Sequence, residues 1–471
     1  MSKITFYGAT GTVTGSRFLL DVHGENILID CGLFQGLKEN RQRNWEPFPF
    51  PPRKISRLFL THAHIDHTGY LPRFTTEGFT GSVHSTYATR DLCEILLRDS
   101  AHLQEEDARW ANKKGFSRHE PALPLYTSAD AEKALGLFSP LYYGEHYNIP
   151  VPNGNIRIKL KDAGHILGSS FIDIKTTRGT GNSHEHRKIF FCGDFGRPEQ
   201  PVLRDPSQAY NVDYLVLEST YGNRLHENVS TAGELAKVVR ESVRRGGVLV
   251  IPSFAVGRTQ TLLYMLRELE EEGEIPVLPI FLDSPMSIET TGVFEKYLSE
   301  MDLTSRVLTL EGKRIFHPKR LEYCRTTNES KALNEIKSKA IIISANGMVT
   351  GGRILHHMLH RLPGPENTIL FIGYQAEGTR GRTILEGEKS VKIHGQEVPV
   401  KARIENISGF SGHPDSNEIL AWLMGFNRRP EKTFIVHGEP DASLALAERI
   451  RQKFDWNVFV PKYGQSFELD L

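Results

Sequence analysis

The sequence is short of cysteine, of net charge and of long apolar runs, and each shortage removes a class of protein. Its four cysteines, Cys31, Cys93, Cys192 and Cys324, are far apart and form no CxxC pair, so neither a disulfide framework nor a thiolate metal site is expected. Basic and acidic side chains balance at 57 each, so attraction to a polyanion cannot come from bulk charge and would need a local basic patch. No apolar run approaches the roughly 18 residues of a membrane span, and the opening MSKITFYGATGTVTGS has no signal-peptide core. A cytoplasmic, reduced setting is expected. The 471 residues, 39% hydrophobic and 24% charged, suit a globular enzyme of two or three domains.

What the chain does have is a dense run of metal-ligand types. Thr61 to Gly69 reads THAHIDHTG, with His62, His64, Asp66 and His67 directly after the apolar Leu58-Phe59-Leu60. Imidazole and carboxylate suit zinc and similar first-row ions. Two ions about 3.5–4 Å apart can clamp both oxygens of a phosphate ester, and Asp66 is acidic where water needs activating. The same device recurs along the chain. Strand-like runs end in Asp30 (ILID), His165 (IRIKLKDAGH), Asp194 (KIFFCGD), Glu218 (YLVLE) and His437 (FIVH). Strand ends that share one rim would bring these residues together from distant sequence.

Residues 1 to about 85 read as short strands with glycine turns, and Ala88 to Lys114 has the spacing of a helix. Gly179 to His186 reads as a polar hairpin tip with idle histidines. From about Ser219 the rhythm changes. Helices at Thr231–Arg245, Thr259–Glu272, Ile288–Met301, Asn328–Ser338 and Arg353–Arg361 alternate with the strands GVLVIPS, VLPIFLDS, AIIISAN and NTILFIGY. Such alternation builds a parallel sheet covered by helices. The simplest topology inserts this α/β domain into the first.

Taken in order, these motifs resemble the β-CASP branch of the metallo-β-lactamase superfamily over nearly the whole chain. The resemblance implies an α/β architecture: a metallo-β-lactamase αββα sandwich (1–218 and 396–471) with an inserted parallel-sheet β-CASP domain (219–395). It implies that His62, His64, His165 and Asp194 hold one ion and Asp66, His67, Asp194 and His437 the other. Asp194 would bridge, and water activated between the cations would be the nucleophile. Asp30 would stand behind the ligands, fixing an imidazole's tautomer. His413 in FSGHPD would be the general acid, with Glu218 in LESTYG as its orienting partner.

The cofactor expected is two Zn2+ per chain, with Mn2+ or Fe2+ able to take their place. The activity implied is endonucleolytic hydrolysis of RNA to 5′-phosphate and 3′-hydroxyl ends. His437 stands where DNA-repair members of the family carry valine, which points to RNA. The chain ends soon after that motif, which counts against a 5′-exoribonuclease. Two further readings compete: a hydrolase of a non-nucleic-acid ester or thioester, and a non-enzymatic RNA-binding subunit. The partner expected is single-stranded RNA and no membrane; a homodimer is the oligomer considered. Weak candidates for RNA contact are Arg258 in PSFAVGRTQ, Ser344 and Arg353 in SANGMVTGGR, and Arg380 and Arg382 in GYQAEGTRGR, all beside glycine loops. His356, His357 and His360 read as packing or surface residues.

Overall fold

The apolar runs that end in histidine or carboxylate are strands, and in the computed structural model they lie in two sheets of one unit. The residues described are 2–115, 120–152, 154–178, 185–226 and 229–471, so most of the expected hairpin tip, 179–184, lies outside them. The first sheet runs, edge to edge, Ser466–Leu469, Ser2–Phe6, Phe18–Val22, Glu25–Ile29, Arg57–Phe59 and Ser82–His84. The second runs Val458–Phe459, Lys432–Val436, Tyr214–Glu218, Glu185–Phe191, Ser170–Arg178, Gly154–Asp162 and His146–Val151. Apolar side chains alternate onto the inner faces. Phe6, Phe18, Leu20 and Ile29 share one buried core with Ile158, Ile172, Phe191, Val216 and Phe434. The outer face of the second sheet packs Phe190, Leu215 and Ile435 against Ile419 and Leu420 of one helix and Leu446 and Ile450 of another.

Parallel pairing determines where the chemistry goes, because parallel neighbours end on the same edge. Glu25–Ile29 and Arg57–Phe59 pair parallel with Ile29 opposite Phe59, so Asp30 and the histidine loop leave one rim. Glu185–Phe191, Tyr214–Glu218 and Lys432–Val436 are also parallel. Val216 stands opposite Phe191 and Glu218 opposite Val436, which aligns Asp194, Glu218 and His437 along a second rim.

The other unit covers His226–Gly412 together with Gln200–Leu203. Its main sheet has six strands, all parallel, in the order Leu321–Tyr323, Ile280–Leu282, Ala340–Ser344, Val248–Pro252, Thr368–Phe371 and Arg403–Asn406. The helix Thr231–Arg245 begins at Ser230, whose hydroxyl accepts from Gly233 N–H, and stops at Gly246 in the left-handed conformation. Two expected helices are shorter than their apolar pattern. Pro285–Lys296 gives way to a separate turn at Leu298–Glu300, and Thr327–Ala332 to another at Leu333–Glu335.

By contacts the first compact unit continues past Glu218 to Leu225 and resumes at His413. Arg403–Asn406 adds a sixth strand beside Thr368–Phe371, and the hairpin of Ser390–Ile393 with Gln396–Pro399 buries Val391, Ile393 and Val398 in the inserted core. Ile342, fully buried in the middle of that core, is the test position. Ile342→Ala should cost about 2–5 kcal/mol, read as a lower urea midpoint for the inserted unit's transition. A shift under about 0.5 kcal/mol would show that this strand is not the core element described.

Candidate metal centre

The loop that carries His62 to His67 is held by backbone. Ser16 N–H donates to Asp66 O at 2.9 Å, Leu33 N–H to Ile65 O at 2.9 Å and Cys31 N–H to His67 O at 2.7 Å. Gly32 makes this approach possible: a Cβ there would fall 1.6 Å from the Asp66 carbonyl oxygen. Arg17, fully buried and 3.8 Å from the Tyr70 ring centre, donates Nε–H to Gly32 O at 2.8 Å. Asp30 and His437 both adopt positive φ, +59° and +51°, a conformation costing about 1–3 kcal/mol that turns each side chain off its strand.

Two groups of donors result. In one, His62 Nε2 lies 3.0 Å from His64 Nδ1, His165 Nε2 lies 3.4 Å from His64 Nδ1, and Asp194 Oδ2 stands 3.6 and 3.8 Å from His62 and His165. In the other, His67 Nε2 lies 3.1 Å from His437 Nε2, and Asp66 Oδ2 is 3.3 Å from His437. Asp194 Oδ1 is 3.3 Å from His67 Nε2 and 3.1 Å from His437 Nδ1. Each group keeps its four donor atoms within 4.8 Å of one another, and Asp194 offers one oxygen to each.

The donor chemistry fits a cation at each group. Burial, and then the neighbouring His67, hold His62 well below the usual imidazole range; burial lowers His64 to about 4, so both are neutral. Burial works against ionising Asp194, yet His437, His67 and His62 hold its carboxyl well below the ordinary value. Its Oδ1 is nevertheless buried without a well-formed hydrogen bond. An ionised carboxylate oxygen left so, among imidazole nitrogens 3.0–3.4 Å apart, needs positive charge. Burial also opposes charge on His67, but Asp194, Asp30 and Asp66 raise it well above the normal range, so loading this group would release a proton.

Asp30 stands behind the donors. Its Oδ2 lies 2.7 Å from His67 Nδ1 and its Oδ1 accepts from Thr61 N–H at 2.8 Å. A hydrogen bond on Nδ1 makes Nε2 the His67 nitrogen that loading would leave bare toward the site. His413 lies beside the first group, its ring centre 4.6 Å from that of His165. His413 Nδ1 is 3.2 and 3.1 Å from the two Glu218 oxygens, and Glu218 Oε1 also accepts Phe195 N–H at 2.8 Å. The Glu218 side chain is 1% exposed and that of His413 19%, so the imidazole is the accessible end of the pair. One residue of this corner had no expected role. Thr220 Oγ1 donates to Glu218 Oε2 at 2.6 Å and lies 3.3 Å from His437 Nδ1. A hydroxyl two positions past a strand-ending carboxylate was the only sign of it.

The expected RNA-contact residues fare differently. Ser344 is fully buried, its hydroxyl donating to Asp283 O at 2.9 Å. Arg353 is spent on Asp283 Oδ1 at 2.7 Å and on the carbonyls of Cys324 and Arg325. His357 Nε2 meets the same carboxylate at 2.7 Å. Arg380 donates to the carbonyls of Lys392 and Thr350. These groups hold loops together. Arg382, paired with Glu386, and Arg258, at the start of the helix Arg258–Glu271, are half-exposed.

Asp194→Ala should lose most bound metal, because one carboxylate serves both groups. Elemental analysis of the dialysed variant beside wild type, expected to hold about two ions per chain, checks this. Wild-type occupancy in the variant would remove the shared-carboxylate assignment.

Three family models match the chain: the metallo-beta-lactamase superfamily at residues 11–218, the Beta-Casp domain at 259–384, and the Zn-dependent metallo-hydrolase RNA specificity domain at 397–461. Ribonuclease TTHA0252 of Thermus thermophilus is 37% identical, with 98% of this chain and 99% of that protein aligned. Transcription termination factor FttA is 30% identical in Methanocaldococcus jannaschii and 31% in Pyrococcus horikoshii, with 98–99% of this chain and 70–71% of those proteins aligned. A crystal structure of a protein of unknown function from Enterococcus faecalis V583 covers 99% of this chain and all of its own at TM-score 0.52 and 12% identity, a likeness of fold alone. Among the described residues no helix is long and apolar enough to cross a membrane.

Proposed function

The chain belongs to the β-CASP family of metallo-β-lactamase-fold RNA-processing nucleases, and from that premise we propose that it is a zinc-dependent, two-metal endoribonuclease leaving 5′-phosphate and 3′-hydroxyl ends. The observation that carries the reading is the His413–Glu218 pair beside two donor groups that share Asp194. Zinc ions bound at those groups would supply an activated water and neutralise phosphate charge. Near-complete alignment with a protein named as a ribonuclease supports RNA as the substrate.

The chain's own residues account for the proton balance. As water oxygen bonds to phosphorus and the bond from phosphorus to the 3′ oxygen breaks, one proton must leave the water and one must reach the departing oxygen. Asp66 is suited to the first transfer. Burial opposes its ionisation, but His67 and His437 keep it ionised, and at 19% it is the most exposed of its donor group. His413 is suited to the second, because Glu218 holds its Nδ1 and a neighbouring carboxylate favours the protonated ring that a proton donor needs.

Internally labelled RNA with a blocked 5′ end should still be cut by the zinc-loaded protein, giving fragments with 5′-phosphates. Stepwise release of single nucleotides from free 5′ ends, with no internal cuts, would replace the endonuclease by the 5′-exonuclease.

His413→Ala should keep its metals and lose roughly 10²–10⁴-fold in rate on RNA. On a nitrophenyl phosphodiester, whose leaving group departs without a proton, it should recover most of its activity. Equal loss on both substrates would mean that His413 is not the acid.

A further inference from the structure

Thr220 touches both halves of the site, and its hydroxyl has one proton to give. That proton goes to Glu218 Oε2 at 2.6 Å, since an ionised carboxylate can only accept; the carbonyl of His437, at 3.3 Å, is the poorer acceptor. Toward His437 Nδ1, 3.3 Å away, the same oxygen can then only accept, and Asp194 Oδ1, 3.1 Å from that nitrogen, is an acceptor too, so Nδ1 carries hydrogen and Nε2 is the bare one. Nε2 is the atom 3.1 Å from His67 Nε2 and 3.3 Å from Asp66 Oδ2. On the other side, Glu218 passes its remaining contacts to His413 Nδ1 and Phe195 N–H.

We infer that Thr220 is a positioning residue that locks the Glu218–His413 pair to His437 through a chain of hydrogen bonds that converges on Glu218: His437 Nδ1–H donates to Thr220 Oγ1, Thr220 O–H to Glu218, and His413 Nδ1–H to Glu218 from the other side. The inference rests on the reading of His413 as the leaving-group acid. It adds that the acid is held in register with the metal donors by a hydroxyl, and that the same hydroxyl, together with Asp194 Oδ1, favours hydrogen on Nδ1 of His437. Valine at 220 keeps the shape and removes only that hydroxyl, whereas serine keeps it.

The test compares zinc-loaded wild type with Thr220→Val, Thr220→Ser and the double variant Thr220→Val with His413→Ala. Thr220→Val should keep full metal content and lower kcat on RNA about 10–10²-fold with KM little changed, part of the worth of a positioned acid. On the nitrophenyl phosphodiester it should be near wild type, and Thr220→Ser should restore cleavage of RNA. The double variant should be no worse than His413→Ala alone, because both changes disable one device. Unchanged kcat, loss of metal, failure of serine to rescue, or multiplicative effects in the double variant would each overturn the proposal. Nitrogen-15 NMR of labelled histidine in the zinc-loaded protein reads the His437 tautomer without any substrate. Hydrogen on Nε2 would overturn the proposal whether or not RNA is cut. Hydrogen on Nδ1, in a protein that cuts no RNA, would remove the nuclease reading and support the hydrogen-bond chain.

Discussion

A single carboxylate at almost no exposure has to stay ionised among four imidazoles, and much of the first unit is arranged around that requirement. Asp194 can bear its charge only because His62, His67, His165 and His437 arrive within 4 Å from three strand ends. Their arrival depends on parallel registers, Ile29 with Phe59 and Glu218 with Val436, that set strand ends side by side. A shift of one residue would turn these side chains to the opposite face. The two donor groups therefore depend on sheet pairing as much as on their own residues.

Support behind the donors is as specific as the donors. Asp30 holds the far side of His67, Gly32 lets the backbone of Asp66 approach, and the buried Arg17 cation sits on Gly32 O within a cage of aromatic rings. None of these can contact a phosphate. They fix the loop that does the chemistry, and a loop held this tightly needs little reorganisation when charge develops.

The two donor groups were largely legible in the sequence because their side chains follow apolar strands. The alternation of helix and strand likewise marked the inserted sheet. Other features were not legible, for physical reasons. Arg403–Asn406 is a short, polar edge strand whose pairing with Thr368–Phe371 leaves no apolar run to read. Arg353 and Arg380 look like phosphate ligands because they follow glycine turns. Their partners, Asp283 and the carbonyls of Lys392 and Thr350, lie 70, 12 and 30 residues away in the chain, and no local pattern announces them. Thr220 escaped notice because one hydroxyl gives no periodicity.

The Asp283 cluster has a consequence for how such a chain can change over time. Its buried carboxylate is met at once by Arg353, His357 and Ser330, at 2.6–2.7 Å. Removing one partner leaves charge buried without compensation, which costs about 3–5 kcal/mol, whereas exchanging the whole group for apolar side chains can be neutral. The easy route out of the arrangement therefore needs several substitutions together, and every single step toward it lowers stability. A lineage that has built this knot is committed to it, and variation is left to the surface around it.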